Sequence, residues 1–182
     1  MLILALAIAF FFAMNIGASG VAATMGVSYG SGAIKRKWIA LILVAVAVFL
    51  GAVLGGGEVV RTIGEDVVPS NILTTNIVLI ILFSATFTLF IANLMGIPLS
   101  TSEVTIGSIV GVGVALQALY VNNILVIVMF WFLIPVTAFV IAFLVGKVIR
   151  MLERKFPQLK GTGKWKKWLG ILVIATGLLE AF

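Results

Sequence analysis

Long apolar runs separated by short polar breaks make up nearly the whole chain, and none of them alternates polarity with a period of two. Continuous runs predict bilayer-crossing helices, since a span needs about 20 apolar residues whereas a barrel strand needs about ten of alternating polarity. Met1 to Met14 is too short by itself, so it is expected to continue through the glycine-rich stretch Asn15 to Gly32 as an interrupted helix that Lys35, Arg36 and Lys37 stop. Trp38 to Gly57 reads as a span opened by an interfacial tryptophan and closed by Gly55, Gly56 and Gly57. Glu58 to Ser70 then reads as an exposed loop, Asn71 to Met95 as a span ended by Gly96 and Pro98, and Leu99 to Tyr120 as either a span or a re-entrant hairpin. Asn122 and Asn123 make a turn, Ile124 to Gly146 is a span with a possible kink at Pro135, and Lys147 to Lys167 is a basic loop. One more apolar segment, Trp168 to Phe182, follows.

Composition removes most other readings. With 63% hydrophobic residues, 10% charged and a mean hydropathy of +1.31, the sequence predicts an integral, all-α, multi-pass membrane protein, expected in a prokaryotic plasma membrane. The first apolar run leads into glycines instead of a cleavage site, which argues against a signal peptide. Without cysteine or histidine there is no disulfide, no thiol chemistry and no usual metal ligand, and no nucleophile and base pair is visible. An enzyme, a cofactor and a bound metal are therefore not expected. The net charge of +6 lies in loops beside the spans, so topology and anionic lipid headgroups explain it better than nucleic acid does.

Charge also orients the chain. If Lys35 to Lys37 face the cytoplasm, the four segments 38–57, 71–95, 99–120 and 124–146 return the chain to the same side at Lys147, where the basic loop belongs. The acidic stretch Glu58 to Ser70 then falls outside. This parity favours 99–120 as a full crossing.

Asn15 to Gly32 is the candidate substrate site. Gly17, Gly20, Gly26, Gly30 and Gly32 allow close approach or unwinding, and Asn15, Ser19, Ser28 and Ser31 offer uncharged hydrogen-bonding groups. Irregular backbone at membrane depth is tolerated only where protein buries it or where it lines a wet cavity. Close helix packing through small residues is the competing explanation.

The end of the chain resembles its beginning. With Ile171 laid on Ile3, Leu172 meets Leu4, Ala175 meets Ala7, Ala181 meets Ala13 and Phe182 stands opposite Met14. The expected organisation is a first transporter repeat at 1–167, with about five membrane segments and the basic loop, and the start of a second at 168–182. An odd number of crossings between copies inverts the second, and inverted repeats with broken helices mark secondary transporters. A second repeat or a homo-oligomer would be needed to complete the site.

Asn15 to Gly32 resembles the first signature of the inorganic phosphate transporter (PiT) family, G-A-N-D-V-A-N-A-x-G-T-S-V-G-S-G, at Gly17, Ala18, Val21, Ala22, Gly26, Ser28, Gly30, Ser31 and Gly32. Pro98 to Glu103 resembles the second family pattern, P-x-S-T-T-H, and Gly57 to Ile63 resembles the loop between them. The resemblance implies cation-coupled symport of a tetrahedral oxyanion by a site built from both repeats. Ser19, Gly20 and Ala23 replace the motif's asparagine, aspartate and second asparagine, and Glu103 replaces its histidine. A sodium site is thereby in doubt, and N-I-G-A-S-G with P-L-S-T-S-E is more similar to the family's sulfate-permease branch.

No Lys or Arg lies within the proposed spans, so an anion would be held by backbone N–H groups at half-helix N-termini and by hydroxyls. The expected contributors are Ser19, Gly20 and Val21 with Ser100, Thr101 and Ser102, whose hydroxyls could equally cap their own helices. Sulfate only accepts hydrogen bonds, whereas hydrogen phosphate also donates and favours a carboxylate. Losing the motif aspartate at Gly20 therefore favours sulfate. Glu103, a carboxylate in an otherwise uncharged segment, is the candidate proton carrier; pairing with a loop lysine near the inner surface is the alternative. Asn15 and Asn93 would contact an ion or bond between helices. The reading is proton-coupled symport, with sodium-coupled phosphate transport, a passive anion channel or a non-transporting half module as alternatives.

Overall fold

In a computed structural model the described residues are 2–97, 99–158 and 163–182, with the side chains of 2, 59 and 62–65 excepted. They form six α-helices, α1 (Leu2–Gly30), α2 (Lys37–Glu65), α3 (Thr75–Leu94), α4 (Thr101–Ala115), α5 (Val121–Lys155) and α6 (Gly163–Ala181), with a short 3-10 turn at Ser70–Ile72. The all-helical expectation holds. Helices α1, α2, α3 and α5 are long and apolar enough to cross a membrane. Large apolar side chains such as Phe10, Phe49, Phe132 and Phe139 stand exposed along them, as in a protein whose solvent is lipid.

Two of the differences from the sequence reading have one reason. Helix α1 runs through the glycine-rich stretch without interruption, and α2 continues past Gly55, Gly56 and Gly57 to Glu65. A glycine costs a helix about 1 kcal/mol relative to alanine in water. In apolar surroundings an unpaired backbone group costs several kcal/mol, so the helix is kept. The expected loop at Glu58 to Ser70 is thus largely helix, and Val67 and Val68 after it are fully buried. Asn122 and Asn123 belong to the first turn of α5, which extends to Lys155 and absorbs much of the expected basic loop. Lys160 lies outside the described residues.

Helices α3 and α4 form a hairpin. At its bend Met95 caps α3, and Gly96 takes a φ of 69° that only glycine adopts freely. The Gly96 N–H then bonds the Asn93 carbonyl at 3.2 Å and the Ile97 N–H bonds that of Ala92 at 2.9 Å, which ends the helix with its carbonyls satisfied. Ser100 opens α4 as its N-cap, its Oγ accepting from the Glu103 N–H at 3.4 Å. The arms close at the far end, where the Tyr120 N–H donates to Val67 O at 3.1 Å and Asn123 Nδ2 to Asp66 O at 2.9 Å. Val67, Val68, Ile81 and Ile109 bury a core between the arms, with Ile124 and Ile127 of α5 against it.

The 15 residues of α4 reach about 22 Å, short of the roughly 30 Å of a hydrocarbon core. A full crossing by the 99–120 segment is therefore corrected to the shorter arm of a hairpin shared with α3. Parity survives, because a hairpin returns the chain to the side it came from. The basic segments do converge at one end, where Lys35, Lys166 and Lys167 line a single cavity, while Asp66 lies beside the α5 N-terminus at the start of the hairpin.

A second core joins α1, α2 and α6 through Met25, Ile34, Ala40 and Val44, with Val21, Ile174 and Leu178 packed on it. Ser28, fully buried, donates to Val173 O at 3.2 Å. A side chain added at Gly177 would run into the Thr24 carbonyl, so glycine lets the α1 and α6 backbones touch there. Thr24 meets Gly177 and Ser28 meets Val173, so the two helices run antiparallel.

Candidate functional site

The depth of the hairpin follows from how α3 docks on α1. Ala7, Ile8 and Phe11 line a pocket with Phe83, Thr86 and Phe87. The Phe11 and Phe90 rings lie 5.3 Å apart, and Asn93 Nδ2 donates to both the backbone O and Oδ1 of Asn15 at 3.1 Å. These pairs advance together, so α1 and α3 are parallel and Leu94, the last residue of α3, is level with Ile16. Ile16 is the midpoint of α1. The bend after α3 thus lies at the depth of the middle of a helix about 43 Å long.

Contacts of α1 with α3 fall at Ala7 to Asn15, and those with α6 fall at Val21 to Ser28. In the short stretch between them, Gly17, Ala18, Ser19 and Gly20 are all small. Side-chain positions built on Gly17 and Gly20 meet nothing within 4 Å. Close packing through these two glycines is therefore not what they do among the described residues. The chain has instead a small-residue gap at mid-helix, level with the first turn of α4.

The sequence-derived candidates separate into two groups. Because α1 is unbroken, the N–H groups of Ser19, Gly20 and Val21 lie in mid-helix and not at a half-helix N-terminus. The Ser19 hydroxyl also donates back, to Asn15 O and Ile16 O at 3.3 Å, and Val21 packs against α6. Ser100, Thr101 and Ser102 do stand at a helix start. Ser100 uses its oxygen as a cap acceptor but keeps its hydroxyl proton, and the first-turn N–H groups of α4 have no intrahelical carbonyl to bond. The broken backbone expected in α1 is found at the α3–α4 bend.

Glu103 lies in the first turn of α4 and is exposed, with no salt bridge among the described residues. It is beside the hairpin tip, where the positive end of the α4 dipole favours an anion. Asn15, only 5% exposed, donates to Phe11 O at 2.8 Å and gives its Oδ1 to Asn93. Both asparagines therefore act as a link between helices. The sequence reading missed Gly177 and the burial of Ser28 against α6; the glycine in an apolar run was the available signal.

Residues 16–179 match the model of the phosphate transporter family. The sulfate permease CysP of Bacillus subtilis is 55% identical over 172 residues, covering 94% of this chain and 48% of that protein. A solved structure titled the sodium-dependent phosphate transporter superposes with a TM-score of 0.75 at 25% identity, covering 99% of this chain and 54% of that one. The chain spans about half the length of these relatives. With α2 to α5, the hairpin, Gly17 to Gly32 and Pro98 to Glu103 inside the matched region, this multi-pass membrane chain belongs to the phosphate transporter family.

Proposed function

We propose that this chain supplies one repeat of a secondary transporter that moves an inorganic tetrahedral oxyanion, sulfate in preference to phosphate, in symport with protons. The observation that carries the reading is the start of α4: Ser100, Thr101 and Ser102, with the N–H groups of that first turn, stand at a hairpin tip level with the middle of α1. An anion there receives hydrogen bonds from backbone and hydroxyls in a region without a Lys or Arg. Gly17 and Gly20, where an added side chain would meet nothing within 4 Å, leave room on α1 at that depth.

The preference for sulfate rests on chemistry and on kinship. Gly20 puts no carboxylate where the family signature has aspartate, so α1 offers no carboxylate to the proton of hydrogen phosphate. The relative with 55% identity is named a sulfate permease. Glu103, beside the tip and without a salt bridge among the described residues, supports a proton as the coupling ion. The fold shared with a sodium-dependent phosphate transporter favours a second reading, sodium-coupled phosphate uptake.

Two features support the repeat organisation of 1–167 followed by the start of a second copy at 168–182. Helix α6 carries the segment that resembles Ile3 to Met14, and it packs antiparallel to α1, as an inverted copy requires. A complete site would then draw its remaining ligands from the second repeat or from another chain.

The test is uptake of labelled sulfate by the full protein in liposomes, with unlabelled sulfate or phosphate as competitor and an imposed proton or sodium gradient. Sulfate is expected to compete better, and an inward proton gradient to drive accumulation. Competition by phosphate alone with a sodium requirement would establish the second reading. Flux indifferent to either gradient would make the protein a passive channel.

A further inference from the structure

The basic end of the molecule holds a feature that transport at the hairpin tip does not use. Gly32, Ala33 and Lys35, between α1 and α2, face Lys166, Lys167 and Gly170 of α6 across a cavity of about 810 Å³. No carboxylate lines it, and none of the three lysines has a salt bridge among the described residues. Three ammonium groups around one recess repel each other and attract an anion, the more so within a Debye length of about 8 Å.

A second space adjoins the first. Between α5 and α6 runs a groove of about 660 Å³, lined by apolar and aromatic side chains that include Leu144, Val148, Trp168 and Leu172. Ile171 lines both the basic recess and the groove. Trp165 stands at the same level, its indole N–H donating to Glu153 Oε1 at 3.1 Å, and Trp168 is 68% exposed. Tryptophans placed this way mark the level of lipid headgroups. A free inorganic anion would fill the recess and make no use of the groove. A phospholipid uses both.

We propose that this pair of spaces binds an anionic phospholipid of the leaflet on the basic side, its phosphate among Lys35, Lys166 and Lys167 and an acyl chain along the α5–α6 groove. Such a lipid bridges α6, which packs on α1, to α5, which has no buried residue among those described. Basic recesses between helices on that side are a recognised form of lipid recognition.

The experiment is native mass spectrometry of the full protein in mild detergent, titrated with phosphatidylglycerol or phosphatidylcholine. Retention of phosphatidylglycerol over phosphatidylcholine is expected, and the combined Lys35→Gln, Lys166→Gln and Lys167→Gln variant should weaken it about a hundredfold, near a factor of five for each exposed lysine. Removing the same charge from α5 with Lys147→Gln, Arg150→Gln and Arg154→Gln should change it little. Filling the groove with Leu172→Trp should weaken phosphatidylglycerol retention while leaving the recess intact. Equal retention of the two lipids, equal loss in the α5 variant, or undiminished retention with the groove filled would each overturn the proposal. Displacement by millimolar inorganic phosphate would make the recess a free-anion site. Retention of neither lipid would overturn it as well.

Discussion

Asn93 Nδ2 donates to Asn15 twice, to its backbone O and to its Oδ1, both at 3.1 Å, and so ties the last turn of α3 to the middle of α1. The pair sets the depth at which the hairpin stops. It also satisfies polar groups that would otherwise meet lipid, since Asn15 is nearly buried and its own amide is held by Phe11 O.

A double-mutant cycle with Asn15→Ala and Asn93→Ala measures this link. Interhelical side-chain bonds in membranes average about 0.6 kcal/mol and reach about 1.7. A coupling near the average is expected, because the Asn15 backbone O survives Asn15→Ala and the cycle isolates the single Nδ2–Oδ1 bond. Additive single mutants in reversible unfolding would show that the two side chains contribute nothing jointly to holding α3 on α1.

Backbone contact between α1 and α6 gives a paired comparison. An alanine at Gly177 would meet the Thr24 carbonyl, which cannot rotate away, whereas one at Gly170 would sit at an ordinary 3.5 Å from the Ala33 Cβ. Gly177→Ala is expected to cost about 1–3 kcal/mol, as overpacking does. Gly170→Ala should stay within about 0.5 kcal/mol. Thermal unfolding in one detergent compares them, and equal midpoints would refute the close approach.

Orientation is open to labelling, because the native chain has no cysteine to interfere. A cysteine at Asn122, at the hairpin's open end, should react with an impermeant maleimide added outside intact cells. One at Lys155, on the basic end of α5, should react only after permeabilisation. Identical access at both positions would remove the basis for placing the basic end in the cytoplasm.

Much of this architecture was legible because apolar runs and basic breaks are physical requirements of a bilayer. Trp38 marked the start of α2 to within a residue, and Ser100 was readable as a cap. Helix continuity was not legible. Gly17 to Gly30 and Gly55 to Gly57 look like breakers by a propensity measured in water, while lipid makes an unbroken hydrogen-bond ladder the cheaper state. Nor could the sequence show that Gly96 ends α3 beside Ile16, since that depends on the docking of Phe90 and Asn93 against α1. The chemistry of Ser100 to Ser102 was visible as residue types, but its depth came only from that docking.

Glu103 carries the last prediction. As a first-turn residue of α4 it interacts with the helix dipole, worth about 0.3–1 kcal/mol when exposed, and it has no salt bridge among the described residues. Glu103→Gln keeps size and most hydrogen bonding and retains the Ser100 cap on its backbone N–H, but removes the charge that meets the helix dipole and the ability to take up and release a proton. If Glu103 is the coupling carboxylate, the variant should still exchange labelled sulfate across liposomes at equilibrium but lose accumulation driven by an inward proton gradient. The structural alternative predicts the reverse pattern: a slight loss of thermal stability with gradient-driven uptake intact. Comparing exchange with accumulation in the same vesicles separates the two, because a misfolded variant would fail both. Accumulation by Glu103→Gln equal to that of the native protein would exclude Glu103 from coupling and direct attention to the sodium-dependent reading.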